Sequence, residues 1–166
     1  MRFFFSSRQF KIILSVTVCL IAVALIMVLV TAGCGSNNIK GTLPEIMEKL
    51  YANIPENKRP MELIDIEINE ENVEGFLGTA DIEYEEALAS EPRVSSIAHS
   101  VVLVRVKDNA NIEAIKEKIE KNAPVRKWLC VEPEEVEVES KGNLIILIMS
   151  SEANTEKIET AFESLK

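Results

Sequence analysis

A single histidine, a single tryptophan, three cysteines and 27 carboxylates are the residues on which any chemistry in this chain has to rest. His99 lies in the piece IAHS, at the start of an apolar run, where an imidazole could serve as an acid, a base or a metal ligand. No Cys or Asp stands at ligand spacing from it, and a lone histidine in such a run is more often a packed strand residue. Ser95, Ser96 and Ser100 surround it without the G-x-S-x-G turn that presents a nucleophilic serine. The run VEPEEVEVE, residues 131–139, offers oxygens to a hard cation such as Ca²⁺, but no Asp-rich loop with a glycine accompanies it. Glu137 and Glu139 fall on the polar side of an alternating strand, so a solvated face is expected there. Glu67, Glu70, Glu71 and Glu74 read the same way. Trp128 follows Arg126 and Lys127 and either lines a pocket or anchors a core. The chain has no glycine-rich phosphate loop, no Cys/His metal cluster and no set of base-stacking aromatics. It implies no cofactor, no metal and no catalytic set; His99 and Trp128 remain as candidates.

The cysteines divide by position. Cys19 lies inside the oily run IILSVTVCLIAVALIMVLV, residues 12–30, and Cys34 lies just past its end. Cys130 is the only cysteine after Cys34, so the domain can form no internal disulfide. Its neighbours Trp128, Leu129 and Val131 predict a buried thiol. The oily run holds no charge, Gly or Pro. As a helix it would extend about 28 Å, close to the hydrocarbon thickness of a bilayer. Arg2, Arg8 and Lys11 precede it and the first acid is Glu45. That asymmetry keeps the N-terminus in the cytoplasm and sends the remainder outside.

Residues 31–36, TAGCGS, resemble the lipobox of bacterial lipoproteins. Ala32 and Gly33 are the small residues before Cys34, with Thr31 where the motif usually carries Leu. The resemblance implies that Cys34 is lipidated and becomes the first residue of the mature chain. The length of the apolar run instead suits an uncut anchor, and a secretory cut after Ala32 would release the protein. Residues 1–33 are thus a signal peptide or membrane anchor. Residues 34–41 read as a flexible tether, and 42–166 as one extracytoplasmic domain.

From Cys34 onward the chain carries 15 of the 18 basic residues and all 27 acidic ones, a net charge of −12. Such a surface repels phosphate backbones and anionic headgroups, which disfavours nucleic acid and holds the domain off the bilayer. A chain of this length buries roughly two thirds of its unfolded surface, enough for a core without staples.

The elements follow from periodicity. TLPE, residues 42–45, is a capping box, and Leu43, Ile46, Met47, Leu50, Tyr51 and Ile54 form one helical stripe before Pro55. Ile64, Ile66 and Ile68 alternate with acids in a one-sided strand. EENVEGFLG, residues 70–78, suits a short helix, and EEALA, residues 85–89, leans helical before a turn at Ser90, Glu91 and Pro92. SIAHSVVLVRVK, residues 96–107, is rich in β-branched residues and reads as a strand. Asp108 to Asn111 opens a helix carrying Ile112, Ile115 and Ile119. Residues 136–139 and LIILIM, residues 144–149, form a hairpin around Lys141, Gly142 and Asn143. A last helix capped near Asn154 or Thr155 carries Ile158, Ala161, Phe162 and Leu165. The result is an α+β domain. A mostly antiparallel sheet of four to five strands packs with about three helices, preceded by the N-terminal hydrophobic helix. Residues 101–104 and 144–149 are oily on both sides and belong at the sheet centre, with the one-sided strands outside them. If helices cover only one face, the bare face of 144–149 becomes a partner or oligomer surface.

SEP at 90–92, HSVVLVRVKD at 99–108, KWLCV at 127–131 and GNLIILIM at 142–149 are similar to a group of small uncharacterised lipoproteins of Gram-positive bacteria. These share a domain of unknown function, and the resemblance covers roughly residues 80–166. It implies a lipid on Cys34 and no activity. The expectation is a non-enzymatic module held on the outer face of a membrane, by a lipid on Cys34 or by the 12–30 helix, that binds a protein or small ligand. An envelope enzyme using His99 with acidic partners is the alternative.

Overall fold

The computed structural model describes residues 38–166. The 12–30 run, Cys34 and the first residues of the tether lie outside the described residues. No helix among the described residues is long and apolar enough to cross a membrane.

Two strands without a polar side organise the rest. In chain order the elements are α1 (Leu43–Tyr51), a short 3-10 turn (Glu56–Lys58), β1 (Leu63–Glu67), α2 (Val73–Leu77), β2 (Glu86–Pro92), β3 (Ser100–Arg105), α3 (Ile112–Asn122), β4 (Glu135–Lys141), β5 (Leu144–Ser150) and α4 (Glu152–Ser164). The strands form one sheet in the order β1-β2-β3-β5-β4, every neighbouring pair antiparallel. This is the expected α+β architecture, with five strands and four α-helices among the described residues.

β3 and β5 lie side by side, and Leu144 to Met149 and Val101 to Val104 are all fully buried. Alternation sends Leu144, Ile146 and Ile148 to one face, against Leu43, Ile46, Met47 and Leu50 of α1 and Ile158 and Phe162 of α4. Ile145, Leu147 and Met149 face the other way, against Val73 and Leu77 of α2 and Ile115 and Ile119 of α3. Helices therefore cover both faces of 144–149, and that strand presents no bare apolar face. β1 and β4, the one-sided strands, take the two edges.

Local signals set the ends of the elements. Thr42 and Glu45 complete the capping box, the Thr42 N–H donating to Glu45 Oε2 at 3.0 Å. α1 ends at Tyr51, earlier than the apolar stripe suggests, and Ile54 stays buried in the turn after it. The β4–β5 hairpin turns on Gly142 and Asn143, with Gly142 at φ +61° as a two-residue loop led by glycine requires. α4 begins at Glu152 with Ser151 as N-cap, three and four residues before the expected Asn154 and Thr155; Thr155 is buried instead.

Four further segments depart from the sequence reading. EEALA is strand, not helix: residues 86–92 form β2 between β1 and β3, so the turn expected at 90–92 lies within that strand. Its helix-favouring alanines are overridden by pairing on both sides. The small Ala87 and Ala89 lie in the cluster that includes Val73 and Leu77 of the covering helix. The strand expected over 96–107 is shortened to Ser100–Arg105, because residues 93–99 are needed to turn the chain back from β2. Cys130 is exposed rather than buried, in the loop between α3 and β4, where its neighbour Leu129 is also exposed. Residues 38–41 of the expected tether lie against the body. Ile39 joins the core, and Arg105 donates to the carbonyls of Ile39 and Gly41 at 2.8 and 2.7 Å.

α2 ends on Gly78 in the left-handed conformation, φ +71°, pressed against the end of α3. A Cβ added there would sit 1.6 Å from the Asn122 carbonyl oxygen. Gly78→Ala therefore meets both a left-handed backbone penalty of about 1–2 kcal/mol and a backbone clash. We expect it to lose more than about 2 kcal/mol of unfolding free energy in urea titrations. An unchanged midpoint would disprove this close approach of the two helices.

Candidate functional site

The antiparallel register places three connections at one end of the sheet: residues 52–62 before β1, 93–99 between β2 and β3, and 123–134 before β4. This end is called the tip. The opposite end holds the β4–β5 hairpin and the segment where residues 38–41 meet the body, with Asn38 donating to Asp108 at 2.7 Å. One β3 length, about 20 Å at ~3.4 Å per residue, separates the two ends.

Beneath the tip, each face of the sheet ends in polar groups. His99 is 1% exposed on the α1 side. Its Nε2 is 2.8 Å from the Tyr51 hydroxyl and its Nδ1 is 2.7 Å from Ser150 Oγ. A neutral imidazole has one donor and one acceptor nitrogen, so these two hydroxyls saturate it. Burial lowers the His99 pKa from 6.5 to about 4, which keeps the ring neutral near pH 7. Burial likewise raises the Tyr51 pKa, opposed by a hydrogen bond with Ser90. The candidate histidine is thus a buried strut between α1, β3 and β5.

On the other face, Glu91 of β2 accepts from Ser100 Oγ at 2.6 Å and pairs with Lys127. The Lys127 ammonium also lies over the rings of Phe76 and Trp128, 4.8 and 5.1 Å from their centroids. Burial lowers the Lys127 pKa, and Glu91 opposes that shift. The candidate Trp128 is half-buried against the α3-side core. With Arg126, Cys130, Val131 and Glu132 it also walls an open hollow of about 390 Å³. It therefore fills both of the roles its size suggests. The acidic run does not gather a metal site: no group of three or more His, Cys, Asp or Glu among the described residues could hold an ion. Glu137 and Glu139 are half-buried rather than open, and Glu139 meets Lys116 at 3.5 Å.

Above this polar layer lie residues that no motif marks. Met61, Val94 and Leu129 are the large apolar side chains exposed among the described residues, at 71%, 45% and 69%. Each comes from a different tip loop. The loops are stitched together beside them: the Arg93 N–H donates to the Glu62 carbonyl at 3.2 Å, and the Leu129 N–H to the Ser95 carbonyl at 2.9 Å. Arg59 fastens the first loop to the end of α1, donating to the Tyr51 and Ile54 carbonyls at 2.7 and 2.8 Å. The two non-glycine residues with positive φ among the described residues, Glu62 (+54°) and Cys130 (+60°), directly follow Met61 and Leu129. The signal that could have found this surface is a large apolar residue isolated in polar turn sequence, as in RPMEL and PRVSS.

Against family models, curated proteins and solved structures, the chain has no match.

The buried His99 makes a definite pH dependence. Its folded pKa lies below the unfolded value, so the unfolded state binds the proton first as pH falls. Stability is fully present above about pH 6.5 and drains away between about 6.5 and 4, by about 3 kcal/mol. In His99→Gln, unfolding free energy measured by urea titration should be lower at pH 7 and nearly flat over that interval. A wild-type slope retained in the variant would show that carboxylates, not His99, set it.

Proposed function

We propose that the protein is a membrane-tethered extracytoplasmic module that binds a partner at the cell surface and does no chemistry of its own. One observation carries the reading. The exposed apolar side chains come one from each of three bonded loops, all at the end of the body farthest from residues 38–41, where the tether arrives. Isolated apolar surface residues are ordinary; three of them on mutually braced loops at one end of the body are what a contact surface needs. The leader supports the placement, with its basic flank before the apolar run and the small residues before Cys34. The enzyme alternative rests on His99, which is 1% exposed and bonded at both ring nitrogens.

The tether is tested by expressing the full chain in a bacterium fed labelled palmitate and weighing the mature N-terminus. Label on the wild type, its loss in Cys34→Ser, and a mature chain beginning at Cys34 are expected. An intact Met1 without an acyl chain would replace the lipid by the 12–30 anchor. A released chain starting at Gly33 would end the tethered reading.

A further inference from the structure

We infer that the tip binds a segment of another extracytoplasmic protein in which large apolar side chains are flanked by carboxylates. This deepens the proposed binding function and rests on it. Charge is distributed unevenly over the body. Residues 52–62, 93–99 and 123–134 carry five basic and four acidic residues, a net of +1, while the other residues of 38–166 carry ten and 23, a net of −13. Three of the four arginines in 38–166, Arg59, Arg93 and Arg126, belong to the tip loops. Arginine and methionine are enriched in protein-binding patches, and guanidinium groups match carboxylates in geometry as well as charge.

Two of these arginines have charge to spare. Arg93 is exposed and makes no ion pair among the described residues. Arg126 meets Glu132 at 3.4 Å with both side chains largely exposed, a surface pair worth little and readily exchanged. They flank Val94 and Leu129 in sequence, so an apolar side chain seated on those residues would bring its acidic neighbours against the guanidinium groups. The rest of the body, at −13, repels an acidic segment and leaves the tip as the one place where it can land.

Other occupants fit less well. A bilayer with anionic headgroups would be repelled by the body behind the tip. If the chain is held at Cys34, the few residues from there to the docked Ile39 span at most about 20 Å. The docking point lies at the opposite end of the body from the tip, so a tip on that bilayer would have to bring the far end of an acidic body back to it. A second copy would bring the same arginines, Arg59, Arg93 and Arg126, against themselves, a like-charge contact.

The test uses the full chain in phosphatidylcholine nanodiscs and 12-residue random peptides displayed on phage. Enriched peptides should combine Leu, Ile, Phe, Trp or Met with Asp or Glu. Their binding should weaken at least about tenfold in Met61→Ser/Val94→Ser/Leu129→Ser and in Arg93→Glu/Arg126→Glu, the loss expected when hot-spot contacts go. It should also weaken as salt rises from about 50 to 300 mM. All five side chains are exposed, so thermal unfolding should be unchanged; Leu129→Ser alone serves if the triple variant is not folded. No enrichment, enrichment of basic peptides, or binding indifferent to these variants overturns the inference. So does tip-dependent capture of phosphatidylglycerol vesicles, which makes the occupant a lipid, or tip-dependent self-association in sedimentation, which makes it a second copy. None of these outcomes depends on the acyl label, so failure of the tether and failure of the tip are told apart.

Discussion

The need to keep β5 dry on both faces shapes this body. Six consecutive side chains, Leu144 to Met149, are fully buried. Together they contribute on the order of 10 kcal/mol of burial, an upper bound given a partly collapsed unfolded chain. A strand of that kind cannot lie at an edge or face water, so β3 and β4 must flank it and helices must cover both sides. α1 and α4 take one side, α2 and α3 the other. The edge positions then fall to β1 and β4, whose alternating acids tolerate water.

Where the apolar strands stop, a polar layer closes the core. Ser90, Ser100 and Ser150 are all buried and all lie at the tip end of their strands. Ser150 anchors His99 on the α1 face, and Ser100 anchors Glu91 on the other. Buried polar groups are tolerable only when bonded, and each of these finds partners on a different element. The consequence is mechanical. His99 joins α1, β3 and β5, while Lys127 joins the α3–β4 loop to β2, so the loops above start from fixed points.

Most of this architecture was legible because periodicity reports burial. The two-sided runs at 101–104 and 144–149 identified the central strands, and TLPE marked the first helix to the residue. Legibility failed where the partner, not the sequence, decides. Residues 86–92 have the composition of a helix and become a strand because two neighbours pair with it. Cys130 has apolar neighbours, which normally signals burial, yet Trp128 alone turns inward and Leu129 points out. The tip was unreadable for a related reason: Met61, Val94 and Leu129 are distant in sequence, and only the antiparallel register brings their loops to one end.

The tip loops carry a local backbone cost. Glu62 and Cys130 adopt the left-handed conformation, which disfavours side chains other than glycine by about 1–2 kcal/mol each. Exposed Met61 and Leu129 also forgo the burial that a relaxed loop could give them. Hydrogen bonds from Arg93 and Leu129 to the neighbouring loops hold the backbone in place at those two points. Strained residues persist only where their surroundings over-determine them, and they concentrate where a protein must present a fixed shape. Here both follow directly on the side chains that are presented. For the binding role proposed above, this means that the tip loops lose their ordering entropy before a partner arrives, which is how a patch of a few side chains would hold a short segment despite its small area.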